Sequence, residues 1–361
     1  MNKTAKGTMP DGNLTRRAFL KTTGSLLLAG PVFNTLSGCV PQEASASVYL
    51  KRFSGGKEIH DNYPVLQDAV KTMVQTLYEE KPFFSTGDSV SIKVNIVATA
   101  ECLGLPAAVT YTTHPRTVQA LAEAFIDLGA GRITLVEGST MPSDSMEAFA
   151  AIGYDAVASY LGAGLIDLNG PAPHSGFQEA ALHNGRAFSS ISAHRHLFET
   201  DCLVSAAKLK MHNMAGVSLS LKNLIGLMPI QVYGRNATGS RTPYVHVPDA
   251  KTQIPGSIVD LARLFPVDFS FIDGISTIAG GEGPWVPAVS FEEPGLLIAS
   301  ADPVAADAVA CVSMGLDPGA VYPASPFSSC ENHLHLAARY GLGVCALERI
   351  TIVGDMPDTG G

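Results

Sequence analysis

The chain has 361 residues, 46% of them hydrophobic and 16% charged, and carries a formal net charge of −9. That acidic balance argues against a nucleic-acid partner, whose phosphates demand a basic surface, while the apolar fraction can bury a large core. Six cysteines with no C-x-x-C pair exclude a zinc ribbon or a ferredoxin-type iron-sulfur cluster.

At the start of the chain, Arg16 and Arg17 lie in Thr15 to Lys21 (TRRAFLK), a twin-arginine export pattern. Leu36-Ser37-Gly38-Cys39 then reads as a lipobox, with Cys39 as the lipidated first residue of the mature protein. The apolar run between them is too short and too interrupted by Gly and Pro to span a membrane. Residues 1–38 are therefore expected to be a signal peptide, 39–47 a lipid-anchored tether, and 48–355 the folded region. Loss of residues 1–38 removes five cations and one anion and moves the formal charge to −13. The expected location is the periplasmic face of the cell envelope, with membrane contact through the N-terminal lipid only and the twin-arginine export machinery as a partner.

From residue 48 onward strand-like and helix-like runs alternate. Strands are predicted over 47–53 and 89–97 around a helix at 65–78, followed by a helix at 115–128 and a strand at 132–137. A helical stretch over 146–161 leads to a short strand at 165–168, and a polar, Gly/Pro-containing segment over 170–186 reads as a crossing or insertion. A strand over 202–209 precedes a segment at 233–255 with little periodicity, long enough to be a lid or binding loop. The rhythm resumes with a helix at 257–264, strands at 267–273 and 295–299, helices at 303–314 and 332–340, and a last strand at 349–353. The alternation predicts an α/β fold of mostly parallel sheets with covering helices, as one elaborate domain or two lobes with a cleft.

Ligands of such folds collect at the carboxyl ends of strands, so the polar residues there are the candidates. Lys93 and Asn95, at i and i+2 of one strand, point together. His114 precedes Pro115 at a helix start, where the helix dipole depresses its pKa and keeps it neutral, as a general base requires. Glu137 ends the next strand.

Lys208 to Pro229 (KLKMHNMAGVSLSLKNLIGLMP) concentrates Lys208, Lys210, His212, Lys222 and Asn223 in an otherwise apolar stretch. From Ser218, a candidate cap, it reads as a helix that is apolar all round and so buried, ending at Pro229. A buried ammonium such as Lys222 needs an anion or must lose its proton. Asp307, on an apolar helix face, is the best internal partner for it; a ligand anion is the alternative. A loop at Gly216 allows His212 and Lys222 to reach one pocket.

Asp273 ends another strand, and the backbone-rich loop with Gly281 and Gly283 can offer N–H groups to an anion. Asp302 before Pro303 reads as a helix cap. His246 is a candidate third imidazole. The spacings of His194 with His196 and of His333 with His335 are weak metal patterns, and no metal ligand is assigned. Cys330 and Cys345 are candidates for a disulfide.

Together IKVN (from Ile92), TTHP (from Thr112), KLKMHN (from Lys208), LKNLIGLMP (from Leu221), DG (Asp273), GEGP (from Gly281) and ADPVAADAVA (from Ala301) resemble the domain-of-unknown-function 362 family over nearly the whole mature region. This chain resembles the form without the ferredoxin module that some members carry. A fainter similarity links Thr113-His114-Pro115 and the His212 to Lys222 spacing to nickel-pincer lactate racemases. It implies His114 and His212 as an acid-base pair and Lys222 as a cofactor holder. A counterpart of the metal-binding histidine after the lysine is missing, which puts a nickel-type cofactor in doubt. The functional expectation is an enzyme, isomerase or racemase-like, doing acid-base chemistry on a small carboxylate-like anion. The alternative is a non-catalytic lipoprotein that binds such a ligand or a cofactor.

Overall fold

A computed structural model of the protein describes residues 45–99, 111–234, 241–287 and 289–356. Arg16, Arg17 and Cys39 lie outside the described residues. The first strand, β1 (Ala46–Arg52), already begins within the stretch expected to be tether.

β1 belongs to an eight-stranded sheet with β2 (Ser89–Lys93), β3 (Arg132–Glu137), β4 (Gly164–Asp167), β7 (Cys202–Lys208), β10 (Phe269–Gly274), β13 (Leu296–Ser300) and β14 (Ile350–Gly354), in the order β14-β1-β13-β10-β7-β2-β3-β4. β10, β7, β2, β3 and β4 pair parallel, and only β13 runs against its neighbours. The expected mostly parallel α/β architecture is the observed one.

Alternation along each strand feeds two cores. Val204 and Ala206 of β7, with Phe269 and Phe271 of β10, face one layer, and Leu203, Ala207 and Ile272 face the other. The first layer is covered by α1 (Tyr63–Glu80), α2 (Pro115–Asp127), α3 (Ser145–Ile152) and α4 (Tyr154–Leu161). The second is covered by α6 (Ala250–Leu264), α7 (Pro303–Ser313), α8 (His333–Arg339) and the stretch after β7.

Several boundaries differ from expectation for physical reasons. The helix expected over 146–161 is two, α3 and α4, because Gly153 turns left-handed (φ +93°) between them. The supposed loop over 233–255 contains the first turns of α6. Pro255 sits inside that helix, and the Lys251 carbonyl, four residues earlier, instead accepts the N–H of Glu331 at 2.9 Å. The polar stretch 170–186 contributes β5 (Gln178–Ala181), paired with β6 (Ser190–Ala193) in a separate two-stranded sheet, and β11 (Thr277–Ala279) pairs with β12 (Ser290–Glu292) in another.

The helix expected from Ser218 is instead a hairpin and a broken helix. β8 (Lys210–His212) pairs antiparallel with β9 (Gly216–Ser218), and the short α5 (Ser220–Asn223) runs into a 3-10 turn at Leu224–Leu227. Cys330 and Cys345 are free thiols.

Candidate functional site

Four adjacent parallel strands end in charge. Asp273 of β10 and Lys208 of β7 are register partners, and their side chains meet at 3.0 Å with no exposure. Next along the sheet, Lys93 of β2 and Glu137 of β3 meet at 2.6 Å, equally enclosed. Burying these ions is repaid only by close pairing and further hydrogen bonds, and both are present. Glu137 also accepts from Ile96 N and Gly138 N, and Asp273 from His114 N and Ile275 N. Burial alone would raise the Asp273 carboxyl, but Lys208 and the neighbouring imidazoles hold it below its ordinary value.

Asn223 stitches the stretch after β7 to this edge. Its Oδ1 accepts from Lys93 Nζ at 3.2 Å and from Asn95 Nδ2 at 3.0 Å, and its Nδ2 donates to Lys93 O. The expectation that Lys93 and Asn95 point together is met in this shared oxygen. The Lys93 ammonium is consumed within the protein, whereas the Asn95 Oδ1 is buried without a hydrogen-bond partner.

Lys210 and Lys222 are different. Lys210 is buried and donates one hydrogen bond, to Tyr111 O at 2.7 Å. Among the described residues Lys222 has no hydrogen bond and no ion pair, and its side chain reaches solvent in part. Enclosure away from bulk water depresses both ammoniums, Lys210 to about 7 with help from Lys222 and Lys208, and Lys222 to about 8. The carboxylate that acts on both is Glu282, which is itself tied to Asn213 N at 3.0 Å and to Trp285 Nε1.

His212 joins them. Its Nδ1 accepts the N–H groups of Met214 and Ala215, each at 3.2 Å, which fixes the neutral tautomer with the proton on Nε2. Burial and the charges of Lys222 and Lys210 keep it neutral, and His246 and His333 lie within electrostatic range. The hairpin carries Lys210 and His212 on one strand, and Lys222, Lys210 and His246 all act electrostatically on His212.

His114 is elsewhere. It caps α2, its Nδ1 accepting from Arg116 N at 3.2 Å, and its ring stacks on His60 with centroids 3.6 Å apart. Burial and the His60 neighbour depress it to about 3, so the depression expected from its position at a helix start is present, with burial as the main cause. α2 lies on one face of the sheet and the segment carrying His212 on the other. The structure does not bring His114 and His212 together.

Asp307 requires a correction: it is not the partner of Lys222. Its two oxygens accept the N–H groups of Ser220 and Leu221 at 2.8 and 3.0 Å, capping the turn that carries Lys222. Burial raises it to about 7 against those bonds. Ser218 does not cap this helix, since it lies in β9 and Leu219 occupies the capping position. Gly281 and Gly283 are glycines for contact reasons, because a Cβ would meet Val286 at 2.8 Å at the first and run into the Trp285 ring at the second. Asp302 caps α7 as expected.

Sequence reasoning passed over Arg241, His60 and the interior position of His333. Arg241 is buried and donates to Met228 O, Gly138 O and Asn169 Oδ1, clamping the end of the 3-10 turn against β3. A lone arginine in a Gly/Thr-rich stretch gives no sequence signal of that role. A separate cleft of about 850 Å³ opens at the other edge of the sheet, lined by Ser47, Lys81, Asp302, Asp317, His335 and Arg349. It contains none of the clustered lysines.

Among the described residues no three His, Cys, Asp or Glu side chains are grouped to hold a metal ion. The imidazoles near Lys222 share their space with an ammonium, which repels a cation, so a nickel-type centre does not fit them.

The model of the family described as Domain of unknown function (DUF362) matches residues 90–312. No curated protein matches. Among solved structures, a Thermotoga maritima protein is similar at 12% identity and a TM-score of 0.39, over 70% of this chain and 59% of that one. The lactate racemase apoprotein of Thermoanaerobacterium thermosaccharolyticum is similar at 10% identity and a TM-score of 0.37, over 72% of this chain and 57% of that one. The chain thus spans less than two thirds of either.

Proposed function

The chain belongs to the DUF362 family, and from that premise we propose that it is an exported, lipid-anchored envelope protein that holds a small carboxylate-like anion between Lys210, Lys222 and the Nε2–H of His212. One observation carries the reading: Lys93 and Lys208 have their carboxylates, whereas among the described residues Lys210 and Lys222 have none within ion-pair distance. A buried ammonium at Lys210 and a half-buried one at Lys222, beside a neutral imidazole donor, are stabilised by an anion.

Turnover of that anion is the second reading, favoured by Lys210, whose pKa of about 7 lets it exchange a proton near neutrality. In that case His212 polarises the substrate as a neutral donor and Lys210 carries the proton. His212 would act as a donor through Nε2–H, since its Nδ1 is occupied by backbone.

Native mass spectrometry with elemental analysis, on protein purified from its own envelope, tests the reading. A small organic acid released on denaturation, and missing from Lys222→Met, is expected. A protein that arrives empty and is stabilised by no small carboxylate contradicts it. For the anchor, Cys39→Ser should move the protein from the membrane fraction to the soluble periplasm; retention in the membrane fraction would refute lipidation.

A further inference from the structure

His333 opens α8 with no exposure, yet neither ring nitrogen has a hydrogen-bond partner. A neutral imidazole carries one donor and one acceptor, and leaving both unmet in an interior is costly, so buried polar atoms of native proteins are nearly always paired. One face of the ring is spoken for: Phe327 packs edge-on at 5.6 Å, and Phe327 in turn lies against Gly216 of the β8–β9 hairpin. Those contacts place His333 beside the hairpin in which His212 pairs with Gly216, and Lys222 and His212 are coupled to it electrostatically. An unmet imidazole therefore lies beside the segment that carries the unmet ammonium.

We propose that the site takes a dicarboxylate, one carboxylate on Lys210, Lys222 and His212 and the second on His333. This rests on the anion-holding reading above and names its ligand class. A monocarboxylate on Lys210, Lys222 and His212 would satisfy that end of the site alone. It would also leave both His333 nitrogens bare. A second carboxylate accepts from the ring N–H.

The test is a thermal-shift and calorimetric comparison of malonate, succinate, acetate and inorganic phosphate on the full mature protein. The variants are His333→Phe, which keeps the ring packing, His333→Gln, which keeps hydrogen-bonding ends, and Lys222→Met. Wild-type protein should bind malonate or succinate at least tenfold more tightly than acetate or phosphate. His333→Phe should abolish that preference, leave acetate affinity unchanged, and raise the unfolding temperature of the ligand-free protein by deleting an unmet polar group. His333→Gln should lose part of the preference. The proposal is overturned if His333→Phe, or His333→Gln should the first not fold, binds malonate and succinate as wild type does. It is also overturned if phosphate or acetate binds as tightly as either diacid. If no anion binds in a Lys222-dependent way the underlying site reading fails too, which separates the two failures.

Discussion

Lys208 and Asp273 face each other across neighbouring parallel strands at 3.0 Å, both fully enclosed, and the same carboxylate oxygen receives the backbone N–H of His114 at 2.9 Å. The pair joins the sheet to the start of α2. Removing one partner strands the other as an uncompensated buried charge, so Lys208→Met or Asp273→Leu should each cost about 3–5 kcal/mol. The double variant should cost clearly less than the sum of the two, because no lone charge remains. Urea unfolding of the four proteins checks this, and strict additivity would mean that the pair contributes nothing as a pair.

Lys210 and Lys222 link stability and binding to pH in opposite directions. In the unfolded chain both ammoniums persist to about 10.5, whereas in the fold they lose their protons near 7 and 8. Between those limits the unfolded state binds more protons, so the ligand-free protein should gain stability as pH rises from about 7 towards 10. Anion affinity should fall over pH 7 to 9 as the charges disappear. Lys222→Met should flatten both trends, as read by unfolding midpoints and titrations across that range. Anion affinity that holds constant from pH 6 to 9 would show that neither ammonium meets the ligand.

Asp307 gives the reverse slope at lower pH. Its carboxyl is raised from 3.8 to about 7, so between those values the folded state binds more protons than the unfolded one. Stability attributable to this group should therefore fall as pH rises from about 4 to about 7. Asp307→Asn should remove that slope and cost about 1–2 kcal/mol at pH 8, where the ionised carboxylate accepts both Ser220 N and Leu221 N. Denaturant melts at pH 5, 6, 7 and 8 are decisive: an unaltered slope in the variant assigns the titration to another group.

Gly226 lies against the second ion pair. A Cβ there would sit 2.6 Å from Lys93 Cε, 2.7 Å from its Nζ and 2.8 Å from Glu137 Oε1. Gly226→Ala must push apart two enclosed ions that have nowhere to go, and should destabilise the protein by about 3 kcal/mol or more. A loss below 1 kcal/mol would show that this edge of the sheet yields easily.

Much of this was legible in the sequence where local chemistry and tertiary setting agree. The strand expected over 202–209 is Cys202–Lys208, and the helix expected over 115–128 is Pro115–Asp127, because a β-sheet run and a proline start carry their own signals. The break at Gly216, which keeps His212 and Lys222 off one continuous helix, was readable from that glycine. What was not readable depends on distant parts of the chain. Pro255 is tolerated inside α6 because Glu331, far along the chain, takes the carbonyl it frees. The helix expected from Ser218 begins only at Ser220 because Asp307 takes the N–H groups of Ser220 and Leu221. The separation of His114 from His212 follows from which face of the sheet each segment covers, and residue spacing does not encode that.

The most direct test of the central claim is isothermal titration of the ligand-free protein with malonate and with acetate at pH 7, repeated on Lys222→Met. The account predicts measurable binding to wild type and a loss of at least tenfold in the variant, whose unfolding midpoint without ligand should be equal or higher. Equal affinity in the two proteins, or no binding of either acid by wild type, would contradict the claim that Lys210, Lys222 and His212 form a carboxylate site.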